Sequence, residues 1–465
     1  MASNTQFSDR PRILVVGGGY VGLYVAKNLQ KKVKAQGGIV TVVDPLPYMT
    51  YQPFLPEVAA GTIEARHAVV SHRMHLKDTE LIAGKVTGVD HAARTATVEP
   101  ADGSPSFQLP YTDVVMAAGS ITRTFPIPGL AESGIGLKTI EEALSLRNKI
   151  LERIETASLM EDEAARKRAL TFVVVGGGFA GIETLTEIED MARAAVREND
   201  RLKREDLRFV MIEAMGRVMP EVTQEQAEWV VSDMRSRGIE VLLNTSLASA
   251  ENGELKLINM ADKSPAGEFA TDTLIWTAGV QANPMVRATD FPIDDRGRVR
   301  ANAELRITGD DGPLEGAWAA GDVAAVPDLT GGGVGGFCVP NAQHAVRQAK
   351  LLAKNIYAAR FGEGTVKEYR HENLGAVAGM GQYKGVANLK PFGKTIGLKG
   401  LPAWLAHRGY HGLAMPMYER KARVISGWLL NVAFGRDLTQ LLHLKTPRAA
   451  FEAAATPGKK PAEKK

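Results

Sequence analysis

The sequence predicts an α/β protein made of two parallel-sheet units of common descent, followed by an amphipathic C-terminal region. Three observations predict it. A β-branched run leading into a glycine-rich turn and a helical pattern occurs twice. A second strand-and-turn motif recurs at the same offset, and towards the C-terminus the apolar residues take up helical spacing. The 465 residues suffice for about three domains at roughly 100–200 residues each. With 45% apolar and 23% charged residues the chain has ordinary globular usage, which excludes collagen, coiled coil and global disorder. Basic and acidic residues nearly cancel (56 against 53), so no nucleic-acid partner is expected. The polar Met1–Arg12 stretch has no apolar signal-like core, so secretion is not expected.

The first unit opens with Ile13-Leu14-Val15-Val16, then Gly17-Gly18-Gly19-Tyr20-Val21-Gly22, then a helical pattern to about Lys34. The second opens with Thr171–Val175, then Gly176-Gly177-Gly178-Phe179-Ala180-Gly181. Strand, GxGxxG and helix in this order make a dinucleotide-binding fingerprint. The first glycine permits the tight turn, the second lets backbone approach a pyrophosphate, and the third packs helix on strand. The pyrophosphate sits at the helix N-terminus, where unspent N–H groups and the dipole favour an anion. The strand Ile39–Val43 ends in Asp44, 22 residues after Gly22, the usual distance for an acid that binds ribose. The strand 208–212 ends in Glu213, 32 residues after Gly181, and a charged helix from Glu187 to Arg204 is expected to fill the longer gap. Acids at both strand ends favour NADH over NADPH.

Thr112-Asp113-Val114-Val115-Met116-Ala117-Ala118-Gly119 is echoed by Thr271-Asp272-Thr273-Leu274-Ile275-Trp276-Thr277-Ala278-Gly279, and both Gly17–Gly176 and Thr112–Thr271 are 159 apart. Two copies of one unit hold two dinucleotides, an arrangement suited to passing a hydride from one to the other. The single cysteine, Cys338, excludes an internal disulfide, a CxxC pair and a thiolate metal cage. It is expected to be a small packed residue. His67, His72 and His75 form no metal-ligand spacing and are expected on a solvated helix or loop; no metal is expected.

With these residues assembled, the chain resembles the two-dinucleotide-binding-domain flavoproteins, and more narrowly the type II NADH dehydrogenases, single-subunit NADH:quinone oxidoreductases, over about residues 11–445. The resemblance implies FAD in the first cradle (Gly17, Gly19, Tyr20, Val21, Gly22, Asp44) and NADH in the second (Gly176, Gly178, Phe179, Ala180, Gly181, Glu213). Glu183 matches a family glutamate near the nicotinamide. Tyr51-Gln52-Pro53-Phe54-Leu55 resembles a segment beside the flavin, and Val86, Ala118 and Gly119 are carried over to the same cofactor. Trp276–Val280, with Ala278 and Gly279, resembles a turn between the two rings. Gly321-Asp322 resembles a strand-end pair whose aspartate holds the ribityl chain. Pro340-Asn341-Ala342-Gln343, beside the Gly331–Gly336 loop, resembles the quinone segment. The family places a second glutamine four residues on, where this chain has Arg347; Gln343 and Arg347 are the candidates for a quinone carbonyl.

The implied units are 11–125 and 291–371 for FAD, 126–290 for NADH, 372–445 for membrane and quinone, and a disordered tail, 446–465. Apolar residues at 424, 425, 428, 429, 432 and 433, flanked by Arg420, Lys421, Arg423 and Arg436 and carrying Trp428, predict a helix lying in a lipid interface. Leu401–Leu405, with Trp404, His407 and His411, is its expected partner. Removal of everything after Glu372 is expected to release the protein from membranes and spare flavin reduction by NADH. The expected activity passes a hydride from NADH to FAD and electrons to a membrane quinone, menaquinone or ubiquinone, without proton pumping. The expected location is peripheral, on the cytoplasmic face of the cell membrane, and a homodimer is left open. A ferredoxin- or rubredoxin-type reductase and a non-catalytic NADH-sensing flavoprotein share both cradles and are the alternatives.

Overall fold

The computed structural model describes residues 10–331, 333–371, 374–390, 395–441 and 448–455. The β-branched runs become parallel strands because both their faces are covered, which accounts for near-continuous apolar sequence rather than alternation. In the first unit Arg12–Val16 lies between Ile39–Asp44 and Asp113–Met116, all parallel, in an eight-stranded sheet. Gly312–Ala319 extends this sheet beside Asp113–Met116, so the chain returns to the first unit after completing the second. The second unit repeats the pattern in a five-stranded sheet, with Thr171–Val175 between Arg208–Ile212 and Thr273–Trp276.

The repeat is offset by one residue. In the first copy Leu14 pairs with Val114, whereas in the second Val173 pairs with Leu274. The extra residue lies between Thr271 and Gly279. Glycine-led helices follow each first strand, Tyr20–Ala35 and Phe179–Arg197. The second is one continuous helix where a separate charged helix from Glu187 was expected. Glu187 and Glu189 are buried on it, which a solvated helix would not allow. A 310 turn, Arg204–Asp206, completes the longer connection.

The C-terminal region differs most from expectation. An antiparallel sheet of Gly375–Gly379, Gly385–Leu389 and Ile396–Lys399 carries the helix Leu401–Ala414, and Tyr418–Phe434 follows. This region is built into the body of the molecule. The Arg237 guanidinium donates to the Met380 carbonyl at 2.8 Å, and Arg436 reaches Glu187 at 2.7 Å with both side chains under 10% exposed. Arg436 is therefore half of a buried ion pair, not a basic flank of a membrane helix. Trp428 turns inward as well: its indole N–H donates to Glu57 at 2.7 Å, and Arg408 lies over both Trp404 and Trp428. The predicted apolar stripe divides into Val424 and Trp428 facing the body and Ile425, Leu429 and Val432 facing out. A cut after Glu372 would leave Glu57, Glu187 and Arg237 without these partners, so it would remove part of the body of the molecule along with the helix pair.

Residue 372 and the tail segments 446–447 and 456–465 lie outside the described residues. Within the tail expected to be disordered, Ala449–Ala455 is a short helix, in keeping with alanine's high helix propensity.

Candidate functional site

Both glycine-rich loops take the geometry that their spacing predicts. Gly17 and Gly176 adopt φ of +100° and +111°, which a side chain would strain, and their N–H groups donate to Val43 and Ile212 at 2.9 Å. A Cβ on Gly22 or Gly181 would stand 1.8 Å from the carbonyl oxygen of Gly17 or Gly176, so helix and turn touch there. At Gly19 and Gly178 a Cβ would meet nothing within 4 Å; these glycines face open cradles. Neither helix has a side-chain cap, so its first-turn N–H groups remain available to an anion. Asp44 accepts the Gly18 N–H at 2.6 Å, and Glu213 accepts the Gly177 N–H at 2.5 Å. Burial raises the Asp44 carboxyl above the usual aspartate range. His72, expected in solvent, is 3% exposed and its Nε2 lies 2.8 Å from the Gly18 carbonyl. It braces the loop from beneath, because the chain turns back here to pair Tyr48–Thr50 with Val69–Ser71.

The two units face each other. A two-stranded ribbon, Ser120–Thr122 against Val280–Ala282, grows from the Ala118-Gly119 and Ala278-Gly279 turns and ties one to the other. Arg123 N–H donates to the Gly279 carbonyl and Asn283 N–H to that of Gly119, each at 3.1 Å. Between the units runs one cleft of about 1570 Å³, walled by Tyr20, Gln52, Phe179, Ala180, Glu183 and Gly279, and farther on by Ala342, Gln343 and Arg347. Val86 is not in this wall; its side chain is buried, and its strand partner is Val98. Asp322 accepts a hydrogen bond from Ser120 at 2.7 Å, and Lys138 donates to the same hydroxyl at 3.1 Å. Burial lowers the Lys138 ammonium from the usual lysine range. The Tyr20 hydroxyl is buried with no hydrogen-bond partner among the described residues. An open cradle, an uncapped helix and an orphaned hydroxyl together fit a dinucleotide-sized ligand.

Glu183 is held by the C-terminal region. Its Oε1 accepts the Gly379 N–H at 2.9 Å and lies 3.1 Å from His407 Nε2. One turn on, His411 packs against the His407 ring and its Nδ1 lies 3.0 Å from the Tyr51 hydroxyl. Burial, with His407 alongside, pushes His411 well below the usual histidine range, so it is neutral. The histidines' functional placement was missed in the sequence; the signal was their i, i+4 spacing, which sets both on one helix face. At the opposite wall Arg347 donates to the backbone carbonyl of Gln343 at 3.1 Å. Gln348, one position past the expected glutamine, is buried and accepts the Gly321 N–H at 2.8 Å, bracing the Gly321-Asp322 turn. Burial pushes the Cys338 thiol up to about 11, and its Sγ contacts the Pro327 carbonyl at 3.7 Å. Cys338 is a packed thiol, as expected, and not a thiolate nucleophile.

Among curated relatives, an internal alternative NAD(P)H-ubiquinone oxidoreductase of Arabidopsis thaliana mitochondria is 26% identical, with 94% of this chain and 87% of the relative covered. The type II NADH:quinone oxidoreductase Ndh of Mycobacterium tuberculosis is also 26% identical, with 90% and 87% covered. Among solved structures, NDH2 from Plasmodium falciparum in complex with NADH superposes with a TM-score of 0.83 at 19% identity, covering 92% of this chain and all of that one. The pyridine nucleotide-disulphide oxidoreductase family model matches residues 11–349. The doubled cradle, the facing turns and this match agree, and the chain belongs to the pyridine nucleotide-disulphide oxidoreductase family.

Proposed function

We propose that this protein is a type II NADH:quinone oxidoreductase, holding FAD in the first cradle and NADH in the second. The observation that carries the reading is a cleft bordered by the first helical residue after each glycine-rich loop, Tyr20 and Phe179, with a quinone-type segment on its wall. Gly17, Gly19, Gly22, Asp44 and Asp322 would hold FAD; Gly176, Gly178, Gly181 and Glu213 would hold NADH. FAD, when bound, supplies the two-electron chemistry that links a hydride donor to a quinone. The net reaction is NADH + H⁺ + quinone → NAD⁺ + quinol, so the protein must admit one proton from water per turnover. Glu183 orients the nicotinamide or carries that proton, since one of its oxygens is engaged by Gly379 and His407 while its side chain borders the cleft. Gln343 and Arg347 face the quinone carbonyl. No reactive thiol takes part, in keeping with the protonated state of Cys338.

The same reading puts the acceptor end at a membrane surface. Leu401, Leu405, Leu413 and Tyr418 are half or more exposed, as are Leu429, Leu430, Val432 and Phe434. No helix among the described residues is long and apolar enough to cross a membrane, so we propose that the helix pair lies on the bilayer at its cytoplasmic face, without proton pumping. The test is anaerobic stopped flow on the purified holoprotein. Flavin bleached by NADH should reoxidise rapidly with menaquinone or ubiquinone analogues. Rapid reoxidation by a ferredoxin with inert quinones would overturn the proposal, and so would a long-lived reduced flavin–NAD⁺ complex.

A further inference from the structure

The quinone segment lacks the second glutamine of its family, and the structure puts another residue to work on the first. Two donors converge on Gln343 Oε1: His371 Nε2 at 2.8 Å and the Leu374 backbone N–H at 3.4 Å. The second settles which end of the carboxamide is which. A backbone N–H can only donate, so the atom that faces it is the oxygen. His371 Nε2 faces the same oxygen and must therefore carry a proton. Burial, helped by the Arg347 charge, lowers His371 to about 4, so near neutral pH the ring is uncharged with its hydrogen on Nε2. The amide oxygen is thus spent on the protein. The two amide N–H groups are the part of Gln343 left to the cleft that the side chain lines.

The rest of the surroundings holds His371 in place. His344 packs edge-on to its ring with centroids 5.6 Å apart, and His344 Nδ1 lies 2.9 Å from the Tyr369 hydroxyl. Asp328 is the acidic group that bears on this cluster, and Arg347 the basic one. Arg347 stands where the second glutamine was expected, and it spends one N–H on the Gln343 main chain rather than on its side chain.

We propose that His371 is a positioning residue for the acceptor site, turning the Gln343 carboxamide so that it donates to a quinone carbonyl oxygen. The inference rests on the quinone reading of Gln343, and it adds a specificity. The wall presents donors, so it favours acceptors with a carbonyl oxygen over outer-sphere electron acceptors, which need no such contact.

The test compares His371→Phe, His371→Gln, Gln343→Ala and the His371→Phe/Gln343→Ala double variant as full-length holoproteins. Phenylalanine keeps the ring packing and removes the N–H; glutamine restores an N–H. Losing one well-aimed hydrogen bond of about 1–1.5 kcal/mol corresponds to roughly a tenfold change. His371→Phe should raise the KM for a short-chain quinone about tenfold. It should weaken equilibrium quinone binding, read by tryptophan quenching, by the same factor. The NADH KM, ferricyanide reduction and Tm should stay unchanged. His371→Gln should recover most of the loss, and the double variant should resemble Gln343→Ala, because both act through one amide. Additive losses, or a normal quinone KM in His371→Phe beside a raised one in Gln343→Ala, would overturn the inference alone. A normal quinone KM in Gln343→Ala would overturn it together with the reading of the segment as a quinone site.

Discussion

Replacing Arg436 by methionine tests whether the C-terminal region is a structural part of the enzyme. Arg436 Nη1 lies 2.7 Å from Glu187 Oε2 and donates to the Ala60 carbonyl at 3.2 Å, and Nη2 lies 3.4 Å from Asp190. The two partner side chains are 7% and 5% exposed. Burial pushes Glu187 up, yet Arg436 and Arg408 prevail and hold its carboxyl below the usual glutamate range. Methionine fills much of the volume and leaves a buried carboxylate with Arg408 nearby and the Thr62 hydroxyl at 3.3 Å. Removing one partner of such a pair typically costs about 3–5 kcal/mol; Arg408 should keep this case near 3 kcal/mol at pH 7.5.

The pH dependence has a definite sign. In the parent, Glu187's depressed value contributes stability above the ordinary glutamate pKa of about 4.3, and that contribution is lost as pH falls through the native value. In the variant the carboxyl loses its main counter-charge and its pKa rises, so protonation relieves the defect. The destabilisation should therefore shrink between pH 7.5 and 5.5. The assay is urea unfolding of the holoprotein followed by tryptophan fluorescence at both pH values, with the parent and the Glu187→Leu/Arg436→Met double variant alongside. The double variant removes both charges and should recover to within about 1 kcal/mol of the parent, since buried pairs are often replaceable by apolar residues. A single variant within 0.5 kcal/mol of the parent, on the order of measurement error, would refute the reasoning. A penalty that grew toward acid pH would refute it too.

Other outcomes follow from the same geometry. Gly22→Ala drives a Cβ to 1.8 Å from the Gly17 carbonyl, and the purified protein should hold less than about a tenth of its flavin, a loss of at least 1.4 kcal/mol, read from the absorbance ratio. Gly181→Ala makes the same clash in the second cradle; flavin content should stay normal while the NADH KM rises at least about tenfold. Glu183→Gln should slow NADH-driven bleaching by about 100-fold, the low end of the range for losing an acid–base group, with flavin content unchanged. Glutamates at Leu429 and Phe434, both more than half exposed, should abolish flotation with liposomes and leave turnover of a water-soluble quinone intact. Flotation at parental levels would remove the proposed membrane face.

The cradles were legible because their constraint is local. Gly22 and Gly181 are required by contact with the carbonyl five residues back, and Gly17 and Gly176 by their own positive φ, so spacing alone exposes them. Asp44 and Glu213 are visible for the same reason, as ends of strands that neighbour the loop. What the sequence hid depends on contacts between distant segments. Trp428 reads as a lipid anchor until Glu57, 371 residues away, accepts its N–H. Arg436 reads as a basic flank until the buried face of the Phe179–Arg197 helix meets it. His72 and His371 are ordinary polar residues in sequence, and their use appears only when the loop or the carboxamide they brace is in place. A helical stripe two residues wide also cannot say which of its edges faces the body, and here Val424 and Ile425 go opposite ways.

The two cradles are copies, yet their surroundings differ in the direction that their proposed ligands require. Behind the first loop stand His72 on the Gly18 carbonyl and Gln348 on the Gly321 N–H, and Val21, in its helix's first turn, is 5% exposed. In the second, the equivalent position is Ala180, which is exposed. A group that stays bound through every turnover gains from burial, since a closed cradle lowers its rate of escape. A dinucleotide that must leave after each hydride needs an open edge. Duplication supplies two like cradles, and on the proposed reading His72 and the Gly321–Gln348 contact make the first the resident site by building around it. On this argument the Gly22→Ala and Gly181→Ala variants separate because of what surrounds each loop, not because of the loops themselves. Equal flavin loss from both would show that the two cradles do not divide resident from exchanging ligand.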